Sequence, residues 1–564
     1  PYTQAWFNIP GWLRNALIIV LGIGFPIALF LAWRYERSPD GFVRSSSDKS
    51  WQNPLKASQR KPLTGNIIMG SLAIVILILI IIPAYKNTTD VTETIPAISL
   101  QEKSIAVLPF TNMSNDPNQE YFSDGMMEEI LNHLFKIGDI NVTSRTSVMR
   151  YKGTTKPIPE IAKELGVSTI LEGSVRKSGN RVRITVQLID GITDKHLWAE
   201  TYDKQLNDVF AIQSEVAQTI ANALQAEVKP EVLQRIESQP TENTSAYNLY
   251  LEARNLNLYD EEENIKAINM FHEVIRMDPN FSYPYVELGL RLQTGATLFA
   301  TDGGMDPARA WIISKPYFEK ALLLDPDNPQ AHLRMAWSIL WFEWDFEGAE
   351  TEYKKTKKIY PNYSWTDFLI ATGQFEEAVQ GAERSMEIDP SSALSWAGII
   401  TAQYFSGQHQ EVLNTIQKAL DDPVQFYSLF TLSESSRVYL YLEKYEEALE
   451  IVRNIKNKSP DIKSPRLDAI EAISEFKLGN QKETDKILEK LMVKSQENAG
   501  GSPSFYLAMV YSVMGEIELA FKWLEKSYQD HEVEMYWLKV EPPFESLRSD
   551  IRYQEMLDKV GFPN

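Results

Sequence analysis

The sequence predicts a multidomain fold: two transmembrane helices, then a small α/β (α+β) domain, then an all-α superhelix of repeated helix pairs. Three observations carry that expectation. Two uncharged apolar runs, Asn15 to Trp33 and Ile67 to Tyr85, each hold 19 residues, and a rise of ~1.5 Å per helical residue makes that enough to cross a bilayer. Short strand-patterned and helical stretches alternate from Ser104 to Val228. From Ser245 onward the pattern is helical and is broken by prolines at intervals near 34 residues.

With 564 residues the chain exceeds the roughly 250 to 300 residues over which a single core keeps growing, so several units are expected. They are a membrane region over 1–86 with spans near 15–33 and 67–85, a linker over 87–102, an α/β domain over 103–228, a linker over 229–244, repeats over 245–530 and a capping tail over 531–564. The formal net charge of -20 scatters basic residues among acids, which argues against nucleic-acid binding because phosphate affinity needs a clustered basic surface. Cysteine is absent, which excludes disulfides, thiolate metal sites and cysteine nucleophiles.

The segment between the apolar runs sets the expected orientation. It carries Arg34, Arg37, Arg44, Lys49, Lys56, Arg60 and Lys61 against Glu36, Asp40 and Asp48, and such an excess marks a cytoplasmic loop. The rest of the chain is then expected on the periplasmic side of a bacterial inner membrane. Trp6, Phe7 and Trp12 match an outer interfacial belt and Trp33, Arg34 and Tyr35 an inner one. Because Pro1 replaces an initiating methionine and the first span must start outside, a further helix is expected upstream. The runs are too long, and too quickly repeated, for a signal peptide. The Thr-rich stretch Asn87 to Glu102, with Pro96, is expected to be a flexible tether.

The α/β domain opens with the buried-strand run Ile105-Ala106-Val107-Leu108-Pro109-Phe110 and a polar loop from Asn112 to Gln119. A helix capped by Ser123 or Asp124 should follow, with Ile130, Leu131, Leu134 and Phe135 facing inward. Asp116, Glu120, Asp124, Glu128 and Glu129 form an acidic cluster, which capping and a solvated loop explain better than calcium, since no loop of alternating oxygen ligands with a glycine turn is present. Next come a strand near Val142 to Val148 and a helix from Pro159 to Leu165 stopped by Gly166. Thr169 to Arg176 and the alternating Val182, Ile184, Val186 and Leu188 read as a hairpin turning at Lys177 to Asn180. A strand near His196 to Thr201 and an amphipathic helix from Val209 to about Val228 complete the unit. Arg176, Lys177, Arg181 and Arg183 give the sheet a basic face, a candidate for an anion or lipid headgroup beside the simpler reading of a solvated surface.

The segments Ser104 to Phe110, Tyr121-Phe122-Ser123-Asp124-Gly125, Leu171-Glu172-Gly173-Ser174-Val175-Arg176 and Leu197-Trp198-Ala199-Glu200-Thr201-Tyr202 together resemble the domain related to the amino-terminal domain of TolB. The resemblance implies a bacterial protein whose α/β domain is commonly followed by tetratricopeptide repeats. Some relatives carry an upstream adenylate cyclase or winged-helix DNA-binding domain, neither of which this sequence contains.

The repeat region is punctuated at Pro279, Pro326, Pro361, Pro390, Pro423 and Pro460, with spacings of 47, 35, 29, 33 and 37 residues. Small residues precede these prolines by about a dozen positions: Ala267, Ala349, Ala378 with Ala382, and Ala448. This is the pattern of tetratricopeptide repeats, in which a small side chain lets two helices approach and a proline ends the second. The segments Asp345-Phe346-Glu347-Gly348-Ala349-Glu350, Gly373-Gln374-Phe375-Glu376-Glu377-Ala378 and Lys444-Tyr445-Glu446-Glu447-Ala448-Leu449 resemble that family most strongly. Gly295 to Asp306 reads as an insertion loop, and Tyr536 to Asn564 as a capping tail that completes the chain.

No catalytic, cofactor-binding or metal-binding residue is expected. His133, His196, His272, His332, His409 and His531 show no i,i+4 pairing with a carboxylate motif, and no phosphate-binding loop or nucleophile elbow is present. Trp311, Trp337, Trp341, Trp344, Trp365 and Trp396 crowd the middle of the array. Inter-helix packing accounts for most of them, and Trp341 is the best candidate for a groove anchor, although no protein-binding residue is assigned. The expected function is a membrane-anchored periplasmic scaffold or adaptor that binds proteins or peptides of the cell envelope without catalysis. The alternative is an extracytoplasmic sensory protein signalling across the inner membrane, related to cyclase-linked or winged-helix regulators.

Overall fold

The computed structural model describes residues 35–38, 41–44, 101–114, 116, 119–258, 260–298, 307–422, 428–460, 462–497 and 501–563, and divides the chain into one unit over Pro1–Ile95 and a second over Pro96–Asn564. In the first unit, β1 (Tyr35–Ser38) and β2 (Gly41–Arg44) form an antiparallel hairpin inside the expected cytoplasmic loop. Among the described residues no helix is long and apolar enough to cross a membrane. The two expected transmembrane helices are corrected accordingly, together with the inner-membrane location built on them. The runs at 15–33 and 67–85 lie outside the described residues.

The second unit begins with a six-stranded sheet in the order β5-β3-β6-β7-β8, with β4 (Thr111–Asn112) paired to β6. β3 (Gln101–Val107) runs parallel to β5 and β6, whereas β6, β7 and β8 form an antiparallel meander. Ile105, Ala106 and Val107 are fully buried, as a central strand with helices on both faces requires. Between β4 and β5 lies α1 (Glu120–Phe135), which starts three residues before the expected cap and therefore carries Asp124 inside the helix. β5 (Asn141–Val142) is shorter than expected, because Ser144 accepts the N–H of Ser147 and starts α2 (Arg145–Met149). α3 (Ile158–Leu165) ends at Gly166, whose φ of 70° is the left-handed conformation glycine adopts without strain.

β6 (Val167–Ser178), β7 (Arg181–Asp190) and β8 (His196–Gln205) precede α4 (Val209–Ala223). The two sheet faces have separate cores. Phe122, Met126, Met127 and Ile130 of α1 meet Val209, Val216 and Ile220 of α4 over one face, while Val148, Ile161, Ala162 and Leu165 pack with Ala106 and Ile170 on the other. α5 (Pro230–Glu237) forms within the expected linker.

Eight helix pairs follow among the described residues. They are α6 (Thr244–Asn255) with α7 (Glu261–Met277), α8 (Tyr283–Leu298) with α9 (Pro307–Leu324), α10 (Pro329–Glu343) with α11 (Phe346–Ile359), and α12 (Thr366–Ala371) with α13 (Phe375–Ile388). Then come α14 (Ala393–Phe405) with α15 (His409–Asp421), α16 (Leu429–Tyr441) with α17 (Tyr445–Lys458), α18 (Pro465–Lys477) with α19 (Gln481–Gln496), and α20 (Pro503–Met514) with α21 (Ile517–Gln529). The sequence pattern dictates this directly. Ala267, Ala349, Ala378 and Ala448 have no exposed surface, so the second helix of each pair closes on the first. Asn243, Asn328, Ser392, Ser428 and Ser464 cap the first helices of five pairs by accepting an N–H three residues on. After α21 the chain makes 3-10 turns at Val533–Trp537 and Pro542–Leu547 and ends in α22 (Ile551–Val560).

Candidate functional site

The first helices of successive pairs pack side by side, α12 on α14, α14 on α16 and α16 on α18, and this is the surface on which a peptide groove was expected. The C-terminal tail lies on it. Trp537 stacks on Phe405 of α14 at 5.7 Å between ring centroids and receives the Arg437 guanidinium of α16 over its ring at 4.9 Å. Glu541 accepts hydrogen bonds from Arg437 and from the Tyr441 hydroxyl. Arg437 also pairs with Glu434 at 2.5 Å, and Glu434 receives Arg466 at 2.7 Å. Burial pushes the Glu541 carboxyl up against the opposing pull of Arg437.

Further along the tail, Glu532 accepts the N–H groups of Ser504 and Phe505 at the start of α20, at 2.9 and 2.7 Å, and burial still raises its pKa to about 7. His531 stacks on Trp344 at 3.8 Å, and Phe562 meets Phe346 at 4.9 Å, so the tail also ties the last pair to the α10–α11 pair. Met535, Tyr536, Trp537, Leu538, Phe544 and Leu547 of the tail are all buried, so a peptide that took this face would have to displace side chains already removed from water.

The opposite relation holds along the edge formed by the turns between pairs, which holds a folded domain. Asp389, at the Asp-Pro turn before α14, accepts the Ser144 N–H at 3.0 Å and the Ser147 hydroxyl at 2.8 Å, so it takes over the N-terminus of α2. Arg384 donates to Asn141 at 2.7 Å, Arg150 to Ser391 at 3.0 Å, and Ser391 to the Glu164 carbonyl at 3.2 Å. Asn362 reaches the Ile140 carbonyl at 3.4 Å beside Pro361, against which a side chain at Gly138 would collide at 2.8 Å. At the Pro326 turn Asp327 pairs with Arg235 of α5 at 3.5 Å. A partly buried charge cluster fixes the joint at the start of the array: Arg254 of α6 meets Glu128 at 2.7 Å, the buried Glu129 at 3.1 Å and Glu287 at 3.3 Å.

The residues singled out in the sequence are mostly consumed by such contacts. Glu120 and Asp124 share Lys152, Glu128 and Glu129 share Arg254, and Asp116 accepts from the Gln119 side chain. Among the described residues no group of His, Cys, Asp or Glu could hold a metal ion. The expected basic face is divided by the sheet: Arg176 stands opposite Arg183 on one side, where Arg181 and Arg183 both pair with Asp203 and Arg176 donates to the Met113 carbonyl, while Lys177 lies on the helix-covered side, donating to Asn248 with its ammonium over the Phe122 ring. Trp311 donates to Glu343 and Trp396 to the Pro390 carbonyl, Trp365 is almost fully buried, and Trp344 is covered by His531. Trp341 is partly buried and packs on Trp337 at 4.8 Å against the core. Arg437, Glu541 and Asp389 carry no local sequence signal of these roles, although Asp389 stands in an Asp-Pro pair that marks its turn.

Residues 101–221 match the family described as HilA/YgeH-like transcriptional regulator, second domain, and not the TolB-related domain expected for much of the same stretch. A Rhizobium meliloti (strain 1021) protein named "Putative adenylate cyclase 3" is 38% identical over 247 residues, which is 42% of this chain and 40% of that protein. The chain thus matches less than half of that relative's length. Among solved structures, yeast Tom70 is 13% identical with a TM-score of 0.34, covering 63% of this chain and 80% of that one. A tetratricopeptide repeat protein from Parabacteroides merdae is 13% identical with a TM-score of 0.25, covering 56% and 99%. At these TM-scores the repeat architecture rests on the helix pairs of the chain itself.

Proposed function

We propose that this chain is a non-catalytic protein-binding scaffold, whose repeat array recognises folded protein surfaces along the edge formed by its turns. The observation that carries this reading is the contact made within the chain: the turns at Pro361 and Pro390 hold the α/β domain by backbone and side-chain hydrogen bonds. The first helices α14 and α16, in contrast, carry the chain's own tail. Beyond the α/β domain the same edge carries Leu394, Leu429 and Phe430, exposed by 66%, 44% and 56%, and the Thr431 hydroxyl reaching the Ala393 carbonyl at 3.4 Å keeps the two helix starts adjacent. Apolar side chains grouped in this way favour a protein partner over a small molecule.

The test replaces Phe430 by a photo-crosslinking phenylalanine analogue in cells making the full chain, with Ile312 on α9, 71% exposed, as the control position. Discrete protein adducts at 430 and none at 312 are expected. No adduct at 430, or the same adducts at both positions, would overturn the reading. Cyclic-nucleotide formation by the purified chain would overturn its non-catalytic part.

The similarity of the α/β domain to a transcriptional-regulator domain, and of 247 residues to a protein bearing a cyclase name, favours a regulatory setting for this scaffold. In that setting the domain and the array together form the partner-sensing part of a signalling protein. Reporter or cyclase output that is unchanged when these regions are deleted from the related protein would remove this second reading.

A further inference from the structure

The sheet of the α/β domain has unequal edges. One ends in β5, two residues long and bridged to the array by Arg384. The other is β8, ten residues long, whose sequence HLWAETYDKQ contains neither proline nor glycine. Among the described residues β8 pairs with β7 alone, and apart from Tyr202 and Trp198 every residue in it is exposed. The register is regular from Trp198 to Gln205. The one register shift, at Leu197, lies at the start of the strand, and from Trp198 onward an edge without proline presents a row of backbone donors and acceptors, the usual template for adding a strand.

Charged residues normally defend such an edge, and here their order favours one occupant in a register that pairs most of the strand. A two-fold axis perpendicular to the sheet keeps the helix-covered faces of two copies on the same side, so directly opposed residues must share a face. Centred on Glu200, the axis would set that carboxylate against itself. Centred on Thr201, it would leave Glu200 opposite Tyr202 and Lys204 opposite Trp198. Centred on Tyr202, it sets Glu200 of each copy against Lys204 of the other, twice, and pairs 199–205 along its whole length. Glu200 and Lys204 make no ion pair among the described residues, whereas Asp203 is already taken by Arg181 and Arg183.

We infer that β8 is a self-association edge, and that a second copy of this chain adds its own β8 antiparallel about Tyr202 to give one sheet running through both copies. The inference goes beyond the scaffold reading and does not depend on it; its failure would leave the crosslinks at Phe430 untouched.

The test is sedimentation velocity of the full chain across a concentration series. The wild-type chain is expected to dimerise. Lys204→Glu turns two opposite-charge cross-strand pairs into two like-charge pairs and should weaken the dimer roughly 10- to 30-fold, and the swap Glu200→Lys with Lys204→Glu should restore it. As a register-specific measurement, Ala199→Cys with Gln205→Cys should give a covalent dimer on mild oxidation, since the natural chain has no cysteine and the two positions stand about 20 Å apart within one strand. A monomer at all concentrations, a dimer indifferent to Lys204→Glu, or a weakened dimer that the swap fails to restore would overturn the proposal. Binding of an unrelated extended peptide at a monomeric edge would overturn it equally.

Discussion

At Asp389 a single carboxylate does the work of a helix cap, an interdomain hydrogen-bond acceptor and a turn former, since it accepts from Ser144, Ser147 and the Ser391 N–H. Asp389→Ala leaves the buried Ser147 hydroxyl and the Ser144 N–H without their acceptor, and a loss of about 1–3 kcal/mol is expected in urea unfolding. Glu532 gives a pH signature of definite sign. Burial raises its folded pKa to about 7 from an ordinary 4.5, so the folded chain binds the proton more tightly. Its contribution is complete below pH ~4.5 and is lost as pH rises through about 7. Glu532→Gln should remove on the order of 2–3 kcal/mol of that pH dependence, measured as the difference between the two proteins' unfolding free energies at pH 5 and pH 8. His133 acts in the other direction. Burial lowers its pKa to about 3, so it stabilises above pH ~6.5 and withdraws stability as pH falls through about 3.

The elements of the array follow from spacing and small residues, whereas the joints between them follow from charge. α6 meets α1 through Arg254 with Glu128 and Glu129, and Glu287 of α8 joins them in a partly buried cluster. Removing the cation leaves the buried Glu129 carboxylate without its partner, and Arg254→Met is expected to cost about 1–3 kcal/mol, seen as a fall in the thermal midpoint. The proline marks were legible as helix ends. That the turn at Pro361 meets Gly138, and the turn at Pro390 meets Ser144 and Glu164, was not legible, because these partners lie more than 200 residues apart in sequence. The helix starting at Glu120 rather than Ser123, the brief β5 and the added α5 are misplacements of the same kind: local capping signals compete, and tertiary contact selects among them.

At the scale of the molecule, the α/β domain and the helix pairs share one unit and an extensive polar seam, and the tail ties α14 and α16 to the far end of the array. One cooperative calorimetric transition is expected for Pro96–Asn564 within the full chain. Truncation before His531 should expose Phe405, Trp344 and the α20 surface, seen as increased binding of a hydrophobic dye and a broadened transition. A truncated chain with an unchanged transition would mean that the tail adds nothing to the array.

The sequence by itself determined the helix-pair array, the alternation of strand and helix before it, and the absence of cysteine chemistry, because periodicity, capping residues and composition act over a few residues at a time. It also supplied two apolar runs from which it could not establish membrane spans. Only the tertiary structure decided that the chain's own C-terminus packs on the first helices of the array, that the expected basic face is split between the two sides of the sheet, and that β8 stands at the sheet's edge among the described residues. Those outcomes depend on which distant groups meet. A carboxylate such as Glu541 is a surface charge in sequence and a buried partner of Arg437 in space, and nothing within several residues of it distinguishes the two.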